Sequence, residues 1–169
     1  AFERMIKDTE RPIQFIWAGK PYPKDQGAIA IFNKLIQLSK KYPNVAVLTG
    51  YELELSAQLK KGSDIWLNTP RVTREASGTS GMTAAMNASV NLSTNDGWIP
   101  EFAKNGKNCF VIPPADLSLP LAQHDQADYE NLYEIIEKKV LPTYYDKPAN
   151  WHKIVFQSMT DVLPEFGSN

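Results

Sequence analysis

Residues 65–92 begin with the apolar run Ile65-Trp66-Leu67 and Asn68-Thr69-Pro70, and end with Val90-Asn91-Leu92. Between the runs stands Arg74-Glu75-Ala76-Ser77-Gly78-Thr79-Ser80-Gly81-Met82-Thr83-Ala84-Ala85-Met86-Asn87. The two runs have the length of buried strands, and Ser80 to Ala88 has the composition of a helix. Strand, helix and strand in that order form a crossover, which predicts a parallel pair. The alternation extends upstream. Arg11–Trp17 is an apolar run closed by Ala18-Gly19-Lys20-Pro21. In Gln26–Lys41, Ala28, Ile31, Phe32 and Leu35 fall at i, i+3, i+4 and i+7, and Pro43 stops the helix. Val45–Leu48 reads as a strand, and Leu53–Lys61 as a helix closed by Gly62. Downstream, Asn95-Asp96-Gly97 is a turn and Phe110–Ile112 a fifth strand before Pro113-Pro114. The expected fold is α/β, a doubly wound parallel sheet covered by helices on both faces.

The expected organisation is one domain over residues 1–169, with 1–112 forming the sheet and 113–169 supplying a loop and covering helices. Pro113–Gln126 reads as loop. Leu132, Ile135, Ile136 and Val140 make one helical stripe, and a last helix near Trp151–Val162 carries Trp151, Ile154, Val155, Met159 and Val162. Ala1–Glu10 reads as the end of a helix, with Phe2, Met5 and Ile6 on one side and no initiating Met. A sheet that opens on half a helix implies a preceding strand, so the expectation is a fragment of a longer polypeptide.

Eighteen Lys and Arg against nineteen Asp and Glu leave a net charge of −1, which provides no global field for nucleic acid or an anionic bilayer. No apolar run approaches the roughly 20 residues of a membrane span, and Ala1–Lys7 lacks the pattern of a signal peptide. The expected location is cytoplasmic. A single cysteine, Cys109, excludes an internal disulfide; with His124 and His152 it forms no metal-ligand spacing, so no metal is expected.

The chemistry lies at residues 75–81. Small residues from Ala76 to Gly81 precede a helix, so backbone N–H groups can face an oxygen-rich ligand at the positive end of the helix dipole. Glu75 can accept hydrogen bonds from a polyol while the amides donate to it. The same pattern also serves many helix starts that bind nothing. Two sharper motifs fail: the position two after Ser80 is Met82, where a nucleophile elbow needs Gly, and Gly19-Lys20 is followed by Pro21, where a P-loop needs Ser or Thr.

Glu75-Ala76-Ser77-Gly78-Thr79-Ser80-Gly81-Met82, continued by Asn87, Asn91-Leu92-Ser93 and Asp96-Gly97-Trp98, resembles the α-glucan (glycogen, starch, maltodextrin) phosphorylase family. Ile16-Trp17-Ala18-Gly19-Lys20-Pro21, Leu48-Thr49-Gly50-Tyr51 and Asp64-Ile65-Trp66-Leu67-Asn68-Thr69-Pro70 extend the resemblance over roughly residues 11–112. It implies a Rossmann-like domain, the C-terminal one of a GT-B glycosyltransferase that moves glucosyl units between an α-1,4-glucan and phosphate, yielding glucose 1-phosphate, with pyridoxal phosphate as cofactor. By the same resemblance Glu75 and the amides of Ala76, Ser77 and Gly78 hold the transferred glucose. The amides of Thr79 and Ser80 and the hydroxyl of Tyr51 face the cofactor phosphate. An N-terminal domain that completes the cleft, and a basic strand end ahead of Ala1, are implied but absent from the chain, so the fragment is expected to be inactive alone.

One position departs from the family. Where it carries the lysine that forms the Schiff base, this sequence has Thr83, whose hydroxyl cannot form an aldimine. The loss opens a second reading, a glucan- or phosphate-binding module without turnover. A third, a nucleotide-sugar glycosyltransferase of the same architecture, expects a second Glu eight residues after Glu75, and that position is again Thr83. Lys104 and Lys107 read as surface lysines rather than a relocated anchor, and Trp17 and Trp66 as core or cleft-wall aromatics. Trp98 is the candidate for a sugar-facing ring or an interface residue, His152 for a surface position, and Cys109 for a small core residue.

Overall fold

The computed structural model describes residues 2–50 and 52–167. The chain divides into two compact units, Ala1–Gln58 and Leu59–Asn169. In the first, α1 (Phe2–Ile6), β1 (Phe15–Ala18), α2 (Gln26–Lys41) and β2 (Val45–Leu48) follow one another, and β1 pairs in parallel with β2 from Phe15↔Val45 to Ala18↔Leu48. Asp25 caps α2 by accepting the Ala28 N–H at 2.9 Å, and Lys40 and Lys41 stand in its last turn, where the dipole favours cations. The four-residue stripe of α2 is only partly covered: Ala28, Phe32 and Leu35 are half-buried, whereas Ile31 is exposed. The buried residues Met5 and Ile6 of α1 are two of the three apolar side chains read from the opening segment. α3 (Leu53–Gly62) runs from the first unit into the second.

The second unit continues with β3 (Ile65–Asn68), α4 (Thr79–Met86), β4 (Val90–Thr94), α5 (Ile99–Phe102) and β5 (Phe110–Ile112). These strands form a parallel sheet in the order β3-β4-β5, with Ile65 opposite Val90 and Leu92 opposite Phe110. The central strand β4 is buried at all five positions although it reads Val-Asn-Leu-Ser-Thr, because helices or flanking strands cover it on every side. Two of its polar side chains bond to loop and helix carbonyls: Asn91 Nδ2 donates to the Gly81 carbonyl at 3.0 Å, and Thr94 Oγ1 to the Pro70 carbonyl at 2.9 Å.

Residues 113–169 are more helical than the sequence implies. α6 (Leu121–Ile135) begins inside the segment read as loop, and a wide π turn at Ile136–Val140 leads into α7 (Leu141–Asp146) and α8 (Pro148–Phe166). All four residues of the anticipated stripe, Leu132, Ile135, Ile136 and Val140, are buried. α8 packs on α4 and β4, where Val162 joins Ala85, Trp98, Ile99, Phe102 and Cys109 in one core cluster. Burial pushes the Cys109 thiol up to about 12, which makes it an unreactive core residue. Among the described residues no helix is long and apolar enough to cross a membrane.

Candidate functional site

Two loops meet at the carboxyl ends of adjacent parallel strands, where open α/β sheets place their ligands. The loop after β3 carries Glu75-Ala76-Ser77-Gly78 into α4; the turn after β4 carries Asn95-Asp96-Gly97-Trp98 into α5. Asp96 Oδ2 accepts the backbone N–H of Arg74 at 3.0 Å and of Glu75 at 2.9 Å. The Trp98 N–H then donates to the Ser77 carbonyl at 2.9 Å, which joins the turn to the loop a second time. Burial on its own would raise the Asp96 pKa, but the N–H groups of Glu75, Gly97, Arg74 and Thr73 hold it below the ordinary carboxylate value.

Close approach makes this joint possible. Gly97 has φ +59°, and a Cβ there would lie 2.5 Å from the Ser77 carbonyl oxygen and 2.8 Å from Glu75 Cγ. Thr73, two residues before Glu75, has φ +75°, a conformation that costs a β-branched residue about 1–3 kcal/mol and persists only where the surroundings over-determine it. Glu75 itself is half-buried, and its Oε1 has only a long 3.4 Å contact, from the Ser77 N–H.

At the start of α4, Gly78 is the N-cap and makes no side-chain cap bond. The Gly81 N–H is consumed by the Gly78 carbonyl at 3.0 Å, so it is withdrawn from the donors anticipated at this helix start. The amides of Ala76, Gly78, Thr79 and Ser80 have no protein acceptor in the hydrogen bonding of the described residues. Glu75, Ala76, Ser77, Gly78, Thr79 and Ser80 are therefore contiguous on one loop and helix start, with one carboxylate and four unclaimed N–H groups among them. Tyr51, also assigned to this site, lies outside the described residues.

Thr83 is one turn into α4 and exposed, and its Oγ1 bonds back to the carbonyls of Thr79 and Ser80, both at 3.1 Å. Trp98 is a correction. Its ring is only 2 % exposed, stacked on Phe102 at 4.5 Å between centroids and edge-on to Phe166 at 5.4 Å, so it has no face for a sugar. Gly81 lies against it: a Cβ would stand 3.0 Å from Trp98 Nε1 and 2.7 Å from Asn91 Oδ1, two buried atoms without hydrogen-bond partners. Lys104 is tied to Asp161 at 3.1 Å, and His152 is exposed. Among the described residues no group of three or more His, Cys, Asp or Glu is placed to hold a metal. The role of Asp96 was not read from the sequence, where Asn95-Asp96-Gly97 signals only a turn. An acidic residue in a turn beside a loop rich in unpaired amides is the signal that could have found it.

No family model matches the chain. It is 58% identical over 146 residues to an uncharacterized protein of Methanocaldococcus jannaschii, covering 85% of this chain and 27% of that protein. It is 34% identical to the maltodextrin phosphorylase of Thermococcus litoralis, over 99% of this chain and 20% of the relative. It is 33% identical to the glycogen phosphorylase of Aquifex aeolicus, over 98% of this chain and 25% of the relative. The chain thus spans about a fifth to a quarter of the length of these curated relatives. Among solved structures, the catalytic domain of starch synthase IV from Arabidopsis thaliana, bound to ADP and acarbose, matches with a TM-score of 0.68 at 18% identity, over 99% of this chain and 32% of that one. Over nearly its whole length the chain is homologous to the glycogen and maltodextrin phosphorylases, and its parallel α/β fold is that of a GT-B glycosyltransferase.

Proposed function

We propose that this chain is the glucose-binding part of an α-glucan phosphorylase-like glucosyltransferase, with glucose held by Glu75 and the amides of Ala76, Ser77 and Gly78. The observation that carries the reading is a carboxylate with only one weak internal partner beside a run of unclaimed backbone donors, at the carboxyl ends of two adjacent parallel strands. A sugar ring offers hydroxyls that donate to the carboxylate and accept from amides, which is the complement of this set. The amides of Thr79 and Ser80, at the positive end of α4, suit an oxyanion such as phosphate. The substrates would be an α-1,4-glucan and phosphate or glucose 1-phosphate, with the remaining length of the parent protein supplying the rest of the cleft.

Pyridoxal phosphate held covalently does not fit these residues. Position 83 carries a hydroxyl, and that hydroxyl is already spent on two carbonyls of its own helix. The observation gives specific support to a second reading, a module that binds glucan or phosphate without turnover. Titration of the isotopically labelled chain with glucose and with sulfate, followed by amide NMR shifts, tests the binding proposal. Glucose should move Glu75–Gly78, sulfate Thr79 and Ser80, and Glu75→Gln should weaken glucose by roughly tenfold, the worth of a hydrogen bond to a charged group. Shifts confined to other surfaces would sink it. The same chain incubated with maltodextrin and phosphate is expected to release no glucose 1-phosphate above a heat-killed control.

A further inference from the structure

We infer that Asp96 is a positioning residue for sugar recognition, acting through the backbone of Glu75; the inference rests on the proposed glucose site. Four observations converge on it. The Asp96 carboxylate gathers the N–H groups of Arg74 and Glu75 at 3.0 and 2.9 Å, and so stands where a bound anion would stand in a ring of backbone donors. Gly97, next in sequence, packs against the Glu75 stem so closely that a Cβ would lie 2.8 Å from its Cγ. The Trp98 N–H holds the Ser77 carbonyl on the far side of Ala76. Thr73 is kept at φ +75°, which needs a neighbour strong enough to impose it.

Glu75 has no strong contact of its own side chain to fix it, so its direction is set by where its backbone is held. The turn after β4 therefore decides which hydroxyl geometry Glu75 can meet. The helix-start amides of Thr79 and Ser80 depend on α4 and not on Asp96, so sugar and oxyanion recognition should separate on substitution. Removing the Asp96 charge should loosen the first and leave the second unchanged or tighter, since a nearby negative charge is lost.

Amide hydrogen exchange on the unaltered chain, and glucose and sulfate titrations of Asp96→Asn, Glu75→Gln and the double variant, test this. In the unaltered chain the Glu75 amide, whose acceptor is Asp96, should exchange at least tenfold more slowly than that of Ala76, whereas the Arg74 amide also has the Arg71 carbonyl at 3.0 Å and is not diagnostic. Asp96→Asn should abolish the difference, weaken glucose at least fivefold and leave sulfate affinity intact. The double variant should bind glucose no more weakly than Glu75→Gln alone, because the two residues act through one contact. An unprotected Glu75 amide in the unaltered chain, wild-type glucose affinity in Asp96→Asn, fully additive losses, or equal losses of glucose and sulfate would each overturn the inference. Absence of glucose binding by the unaltered chain would overturn the sugar site itself, and the exchange rates would still judge whether Asp96 holds the loop.

Discussion

Thr83 carries the sharpest consequence of any single residue in the chain. A β-branched hydroxyl inside a helix can turn back on the preceding turn, and its contacts to the Thr79 and Ser80 carbonyls leave it neither a nucleophile nor an amine. Replacing it with Lys removes both contacts at an exposed position, where the stability cost is small, within about 0.5 kcal/mol. In the full-length parent, incubation with pyridoxal phosphate and borohydride is expected to leave no adduct at residue 83 by mass spectrometry. Thr83→Lys should gain one if the surrounding pocket persists. Lack of an adduct in the Lys variant would mean that the pocket has been lost with the lysine, and the binding module without turnover would become the better reading. The Thr83 contacts are of a kind legible from sequence, because they follow from local helix geometry alone. The burial of Trp98 is not: whether a ring after a turn faces solvent or core depends on the distant helix α8, whose Phe166 closes over it.

Among the elements, α4 connects the site to the core and ends under strain. Its C-cap is Asn87, and the next residue, Ala88, adopts φ +69°, where a Cβ crowds the backbone and glycine is the ordinary occupant. Ala88→Gly should therefore stabilise the chain by about 0.5–1 kcal/mol, the relief of strain exceeding the added freedom of the unfolded chain. Urea denaturation at constant slope checks this, and a lowered midpoint would show that the strain is compensated elsewhere. The five strands and the helices α2, α3 and α4 were readable because each couples a short apolar run or a stripe to a breaker, and α2 occupies Gln26–Lys41 and β2 Val45–Leu48, the same bounds as the sequence pattern, whereas the one-turn α5 (Ile99–Phe102) is too short to show a period. α6 was missed at its start because Pro120 precedes it, no side chain caps it, and its first turns bury only His124. With so thin an apolar stripe, helical periodicity appears only from Leu132 onward. The unit boundary near Gln58 left no trace, since it falls within the continuous helix α3 rather than in a linker.

Over the whole molecule, stability should depend on acidity through carboxylates that the fold holds charged. Burial would raise the pKa of Asp96, but backbone donors hold it low. Burial likewise opposes ionisation of Asp161, yet Asn108, Lys104 and Gln157 keep it below the ordinary value, with Asn108 Nδ2 at 2.8 Å and Lys104 Nζ at 3.1 Å from its Oδ2. Asp161 is on α8 and Asn108 just before β5, so this second carboxylate fastens the covering helix to the sheet. A group whose folded pKa is depressed contributes stability that is fully present above its unfolded value, near 3.9 for Asp, and that is lost as the pH falls through the folded value. We therefore expect a melting temperature little affected by these groups from pH 7 to about 5, and a decline below about pH 4 as the two aspartates take up protons. Each kcal/mol lost lowers the midpoint by roughly 2–4 °C in a chain of this size. Asp161→Asn should be less stable at neutral pH, because the Lys104 ammonium and the Gln157 amide lose a charged acceptor, and its decline on acidification should be shallower, because one titrating group is gone. Circular dichroism melts of both chains from pH 7 to 2.5 measure this, and an acid limb equally steep in the variant would place the decisive protonation elsewhere.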